Sequence, residues 1–362
     1  MSAAELSASG TSIWLDDLSR AKITGSDAHS LPQRIKNDSV VGVTTNPSIF
    51  ASAISGAQEY ADDIAALKGS SPEEIVRRLT TDDVRAACDL FTGIYERTQG
   101  IDGRVSIEVD PRLAHKTEET ISEGKSLYAT VNRPNVMIKV PATIEGLPAI
   151  TALIAEGISV NVTLIFSLQR YALVIDAFMK GMEIGLAKGI DISQIHSVAS
   201  FFVSRIDTAI DPELERLGAA HLQGKAAVAN AHLAYEYFLQ ARSTQRWQVL
   251  ASAGAHMQRP LWASTGVKNP AYEDTRYVVE LVAEDCVNTM PQSTLDSLID
   301  HGVVRGNTIL SALQQSHIDL DSISEAGISL DEVTAELEVK GVKSFADAWE
   351  VLLNKVAEAS AE

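Results

Sequence analysis

Eight short apolar or β-branched runs punctuate the chain, each separated from the next by more residues than a hairpin turn uses. They are SIWLD (12–16), VVGVTT (40–45), RVSIEVD (104–110), NVMIKV (135–140), ISVNVTLIF (158–166), HSVASFFV (196–203), PLWAST (260–265) and DCVNTMP (285–291). Between most of them the hydrophobic period changes. PRLAHKTEETISEGKSLYATV, SLQRYALVIDAFMKGMEIGLA and GKAAVANAHLAYEYFLQARS place apolar residues three and four apart, the spacing of an amphipathic helix. Strand and helix in alternation predict βα units around a parallel sheet, and eight such units predict a closed (β/α)8 barrel. An open, doubly wound sheet is the rival. It would place a glycine-rich phosphate turn after the first strand, where WLDDLSR has none.

The 362 residues suffice for one such barrel with an N-terminal helix and a C-terminal helical extension. The expected unit is a single domain, 1–362. The amphipathic stretch from about 309 to 362, containing SFADAWEVLLNKVAEAS, is expected to pack on the barrel. No low-complexity linker and no repeat beyond the βα alternation is evident.

A net charge of −18 argues against nucleic-acid and anionic-membrane partners, whose binding needs clustered Lys and Arg. An anionic ligand would have to be met by a local positive pocket. Cys88 and Cys286 lie far apart, with no His or Cys at metal spacing, so neither a disulfide framework nor a metal site is expected. The stretch MSAAELSASGTSIW lacks the basic and apolar regions of a signal peptide, and no uninterrupted apolar run reaches the length that spans a bilayer. The expectation is a cytoplasmic protein.

In a barrel of this kind the C-terminal ends of the strands carry the chemistry. Asp16 closes the first strand, Thr44 and Asn46 the second, Glu108 and Asp110 the third, and Lys139 stands in the fourth. Asn161 and Thr163 lie on the fifth, Ser200 and Arg205 on and after the sixth, and Ser264 and Lys268 on and after the seventh. One lysine, several carboxylates, amides, hydroxyls and two further cations at one mouth suit carbonyl chemistry on a hydroxylated, phosphorylated substrate.

The stretch NVMIKVPATIEG sharpens the question, because burying an ammonium is costly. One reading makes Lys139 a nucleophile: among Met137, Ile138 and Val140 the charged form is disfavoured, and a neutral amine can condense with a ketone. The other makes it a lysine that snorkels to the barrel mouth or pairs with Glu108 or Asp16. Spacing alone leaves the two even. Asp16 and Glu108 could equally be solvated loop residues or helix caps. Agreement of three polar strand ends favours catalysis. Pro141 is expected to end the fourth strand, having no N–H to donate.

VGVTTNPSIF, VSIEVDPRL, VMIKVPATIEG, VNVTLIFS and SFFVSRID, in this order, resemble the motifs of the transaldolase family. SIWLDDLSR and LWASTGVKNPAY resemble its longer actinobacterial-type branch. The resemblance spans roughly residues 10 to 305. It implies a class I aldolase-type barrel with Lys139 as the Schiff-base lysine and no metal or organic cofactor. Asp16 would be the acid/base at the hydroxyl beside the breaking bond. Glu108, with Thr163 and a water, would shuttle protons while the carbinolamine forms and dehydrates. Thr44, Asn46, Asn161 and Ser200 would hold substrate hydroxyls, with Phe202 as a pocket wall.

The implied reaction moves a dihydroxyacetone unit from sedoheptulose 7-phosphate to glyceraldehyde 3-phosphate, giving erythrose 4-phosphate and fructose 6-phosphate. It belongs to the non-oxidative pentose phosphate pathway, and the enzyme would be a monomer or homodimer. Phe201 and Ser204 stand where the shorter branch has proline and glycine. Where that branch continues its seventh strand into an arginine, this chain reads Ser264, Thr265, Gly266, Val267, Lys268. Phosphate binding therefore falls to the planar fork of Arg205. Lys268, with the Gly266 backbone N–H, is a second candidate, set against the reading of an ordinary surface lysine. Two other functions stand beside transfer. Release of the three-carbon unit as dihydroxyacetone, a fructose 6-phosphate aldolase activity, is separated from it by a product assay without acceptor. A non-catalytic sugar-phosphate-binding barrel would keep full ligand binding after Lys139→Ala.

Overall fold

The eight runs form eight strands in the computed structural model, which describes residues 2–55 and 57–361. They are β1 Thr11–Leu15, β2 Val40–Val43, β3 Arg104–Glu108, β4 Val136–Pro141, β5 Val160–Ile165, β6 Ser197–Phe202, β7 Arg259–Ala263 and β8 Cys286–Met290. Each pairs in parallel with the next, and β8 returns to β1, so the sheet closes in chain order. This is the (β/α)8 barrel, not the open sheet. The runs read as continuous apolar stretches because helices cover the outer face while side chains fill the inner one.

Register decides which residues share the interior. Glu108 stands opposite Lys139, Lys139 opposite Asn161, and Pro141 opposite Thr163. With a side-chain period of two, all five project to the same face, at the C-terminal end of the strands. β4 extends one residue beyond the expected run: Pro141 is its last residue, and the next N–H, of Ala142, still donates to Thr163 O at 2.8 Å. Pro141 thus terminates the strand without interrupting the ladder.

At the opposite end the barrel is plugged. Trp14 is fully buried, and its indole lies where β2 offers only Gly42; a Cβ there would come within 2.6 Å of the ring. Asp102 accepts from Trp14 Nε1 (3.1 Å), Ser12 Oγ (2.8 Å) and Arg259 Nη2 (2.9 Å), tying β1 and β7 to the loop that leads into β3.

Two of the predicted helices form almost as read, Leu168–Ala187 with Ser167 as its N-cap and Ala226–Arg242. The third differs at its start. PRL is a 3₁₀ turn whose cap, Asp110, accepts from Arg112 N at 2.9 Å, and the α-helix runs only over Thr117–Val131. Beyond β8 the chain forms helices Ile309–Glu325 and Leu330–Ala361. The first packs along Ala226–Arg242. The second crosses the mouth and packs against helix Pro47–Ile54. Gly341 permits its approach to the barrel, since a Cβ there would lie 3.0 Å from Leu164 Cδ2. Among the described residues, no helix is long and apolar enough to cross a membrane.

Candidate active site

Lys139 is only 4% exposed, so it does not snorkel to bulk solvent. Its Nζ donates to the backbone carbonyl of Thr45 at 3.0 Å. Glu108 Oε2 lies 3.5 Å from the same nitrogen, an ionic approach without hydrogen-bond geometry. The Phe345 ring, from helix Leu330–Ala361, sits with its centroid 5.5 Å from Nζ. An amine in this setting has one fixed hydrogen-bond partner, a carboxyl at close range and an aromatic wall.

Burial pushes the Glu108 carboxyl up to about 7, against the opposing pull of Lys139. Among the described residues neither of its oxygens has a hydrogen-bond partner, so little besides Lys139 favours its charged form. Asp16 is also raised above the ordinary carboxyl range by burial, opposed by Lys139, by Thr44 and by Arg205. Thr44 Oγ1 donates to Asp16 Oδ1 at 2.6 Å and itself lies 2.6 Å from Thr289 Oγ1. That hydroxyl chain fixes the carboxylate plane through Oδ1. Two carboxyls flank one amine, in different environments, as division into separate acid and base roles requires.

A cavity of about 140 Å³ opens at the barrel mouth. Asp16, Thr44, Asn46, Lys139, Thr163, Ser200, Phe202, Arg205, Ser264 and Lys268 line it. Glu108 and Asn161 do not. Glu108 lines a neighbouring cavity, which shares Asn46 with the first. Asn161 is fully buried, donating to Ser106 Oγ at 3.0 Å and accepting from Ser200 Oγ at 2.7 Å. Asn46 caps helix Pro47–Ile54, its Oδ1 accepting from Ile49 N at 3.0 Å, which turns its amide N–H₂ away from the helix. Asp110 is spent as a cap and as a partner of Arg112 at 2.7 Å.

The cations sit toward the outer side of the mouth. Arg205 begins helix Ser204–Arg216, with its guanidinium carbon 5.1 Å from the centroid of the Phe202 ring, and burial lowers its pKa. Lys268 is exposed on the loop after β7, beside Gly266. Among the described residues neither cation has an ion-pair partner, so both are available to an anion. Two non-glycine residues at this end have left-handed backbone, Leu164 (φ 61°) and Ser264 (φ 56°). Such conformations are costly for residues with a Cβ and gather where a site dictates the backbone.

Sequence reasoning missed Phe345 and Thr289. The helical period marked the segment around Phe345 as amphipathic, yet nothing in it says that this ring reaches the lysine. Thr289, on β8, carries the inward period of its strand and could have been found that way.

A family model described as Transaldolase/Fructose-6-phosphate aldolase matches residues 13–356. "Transaldolase 1" of Streptomyces avermitilis is 56% identical over 357 residues, covering 97% of this chain and 94% of that protein. "Transaldolase" of Renibacterium salmoninarum is 55% identical over 360 residues, covering 98% of this chain and 96% of its own. "Transaldolase" of Thermobifida fusca is 51% identical over 360 residues, with 98% and 97% covered.

Proposed function

This chain belongs to the transaldolase/fructose-6-phosphate aldolase family and is an enzyme of the transaldolase type, and from that premise we propose how its mouth divides the work. The enzyme transfers a dihydroxyacetone unit reversibly from sedoheptulose 7-phosphate to glyceraldehyde 3-phosphate through a lysine Schiff base. Lys139 is the nucleophile. The observation that carries this is the buried Nζ, hydrogen-bonded to Thr45 O at 3.0 Å and 3.5 Å from Glu108, opening on the mouth cavity.

The neutral amine attacks the ketose C2. Protonated Glu108 then gives its proton to the C2 hydroxyl, the C–O bond breaks, the nitrogen lone pair closes the C=N bond, and water leaves. Thr163, its Oγ1 buried and unpartnered among the described residues, is the hydroxyl that steadies that water. The iminium is the electron sink. As the C3–C4 bond breaks, Asp16 takes the proton of the C4 hydroxyl and the bonding pair moves into the enamine. Thr44 orients Asp16. Asn46 and Ser200 clamp the three-carbon unit, Asn161 holds Ser200 in place, and Phe202 walls the pocket. Ser264 lines the outer part of the mouth, where Arg205 and Lys268 meet the phosphate.

The enzyme works as a monomer or homodimer. Helix Leu330–Ala361 lends Phe345 to the mouth, which supports reading 1–362 as one unit. The free, buried thiols of Cys88 and Cys286 suit a cytoplasmic setting.

Incubation with fructose 6-phosphate and borohydride, without added metal or cofactor, tests the assignment. A three-carbon adduct on the peptide containing Lys139 is expected. An adduct on another lysine would remove Lys139 from the mechanism.

Arg205→Ala should weaken binding of phosphorylated sugars by about 2 kcal/mol, a roughly thirtyfold rise in KM. Unphosphorylated analogues should change little. Equal losses for both would make Arg205 a structural residue.

Glu108 sets a pH dependence. With its pKa raised to about 7, the folded protein holds a proton that an unfolded chain releases near 4.5, so this group favours folding at low pH. That contribution shrinks as pH rises from about 4.5 to about 7. The acid form needed for dehydration is lost above the same upper value. Single-turnover imine formation should therefore slow by about tenfold per pH unit on the alkaline side. Glu108→Gln should be slow throughout and lack that limb; a limb unchanged in the variant would assign it to another group.

A further inference from the structure

We propose that the cavity behind Glu108 is the water port of the active site, the route by which water leaves during imine formation and enters for hydrolysis. The inference rests on the reading of Lys139 and Glu108 given above and extends it to a space that the sugar does not occupy.

The geometry separates two compartments. The mouth cavity of about 140 Å³ includes Lys139 but not Glu108. A second cavity of about 230 Å³ includes Glu108 but not Lys139. Glu108 thus stands in the partition, its Oε2 3.5 Å from the reacting nitrogen and its residue part of the second cavity's wall, with both carboxyl oxygens buried behind that wall. Once a six- or seven-carbon sugar phosphate fills the mouth, water formed at C2 has no free path outward past the substrate. A turn of the buried Glu108 side chain would open one into the second cavity.

The lining suits water in transit. Phe50, Ile107 and Leu127 form apolar walls, which hold water weakly. Two residues of its wall carry unpartnered polar atoms just behind the surface, Glu108 at the catalytic end and Trp349, through Nε1, on helix Leu330–Ala361. Exposed Glu73 and Glu74 mark where the cavity reaches solvent. A space of this size has room for several waters at about 30 Å³ each. The chemistry balances without any further reactant. Dehydration moves the Glu108 proton onto the departing hydroxyl, leaving an iminium, a carboxylate and one water. Hydrolysis takes one water in and returns a proton to Glu108.

The test is exchange of the C2 oxygen of fructose 6-phosphate with heavy-oxygen-labelled water in the absence of an acceptor, because exchange requires water to leave and return. Thr80→Met and Leu113→Phe each place added bulk in the second cavity, and neither residue touches the mouth cavity. Folding is checked by thermal unfolding. Leu113 is partly exposed, so its variant guards against loss of the fold at the buried Thr80. Exchange slowed tenfold or more is expected, with KM and the saturating amount of borohydride adduct close to the parent. Parental exchange in the folded variants would overturn the port. A rise in KM or loss of adduct in step with slower exchange would place the effect in the mouth and overturn it too. If the parent itself forms no adduct on Lys139 and exchanges no oxygen, the Schiff-base assignment fails first and the port falls with it.

Discussion

Lys139→Met is expected to abolish both transfer and the borohydride adduct while leaving the fold intact, a loss of at least about 10⁴-fold in kcat/KM. Methionine approximates the length of the lysine stem but cannot form an imine, so the electron sink disappears with the nitrogen. Removing one member of a buried ion pair ordinarily costs about 3–5 kcal/mol, because the other charge is stranded. Glu108 escapes that fate. Burial already pushes its carboxyl up to about 7, and Lys139 is the group that opposes that shift. Without the lysine it rises further and is protonated at neutral pH. The remaining cost is the hydrogen bond to Thr45 O, about 1 kcal/mol, partly offset by a thioether against the Phe345 ring. Thermal unfolding near the parental temperature, with no adduct by peptide mass and no transfer, is the expected pattern. Undiminished transfer would refute covalent catalysis at this residue.

The barrel is legible in the chain because parallel strands buried on both faces leave continuous apolar runs, and a period of two places their polar interruptions on one side. Lys139 is the clearest case: a charge within VMIKV has to face either the interior or the mouth. Asp16, Thr44 and Ser200 follow from the same reasoning at their own strand ends. What periodicity leaves out is how remote elements dock. Phe345 arrives from a helix roughly 200 residues beyond Lys139, and its place over the amine depends on Gly341 letting that helix settle against Leu164. Local sequence encodes the amphipathic face but not the register across the mouth. The side-chain commitments are equally invisible. Asn161 is read as a substrate clamp, yet its amide is engaged by Ser106 and Ser200 beneath the cavity floor. Glu108 is rightly placed beside the lysine, but no spacing rule tells that it fronts a second cavity.

Asp16→Asn should separate the two halves of the mechanism. The amide keeps the size of the carboxylate and can still accept from Thr44, whose bond to Asp16 Oδ1 is 2.6 Å, so the pocket should keep its shape. Burial raises the Asp16 pKa and thereby penalises its ionised form, so a neutral side chain should leave stability equal or slightly higher at neutral pH. Imine formation belongs to Lys139 and Glu108 and should persist. Cleavage of the C3–C4 bond needs a base for the C4 hydroxyl, and an amide is not one, so that step should slow by about 10²–10⁴-fold. The adducts record the difference. Borohydride should trap mainly a three-carbon unit on the parent, because cleavage precedes reduction. On the variant it should trap the intact six-carbon sugar phosphate on the same lysine. A structural role for Asp16 would lower the yield of both adducts together, and a three-carbon adduct still dominating in the variant would take the base role away from Asp16.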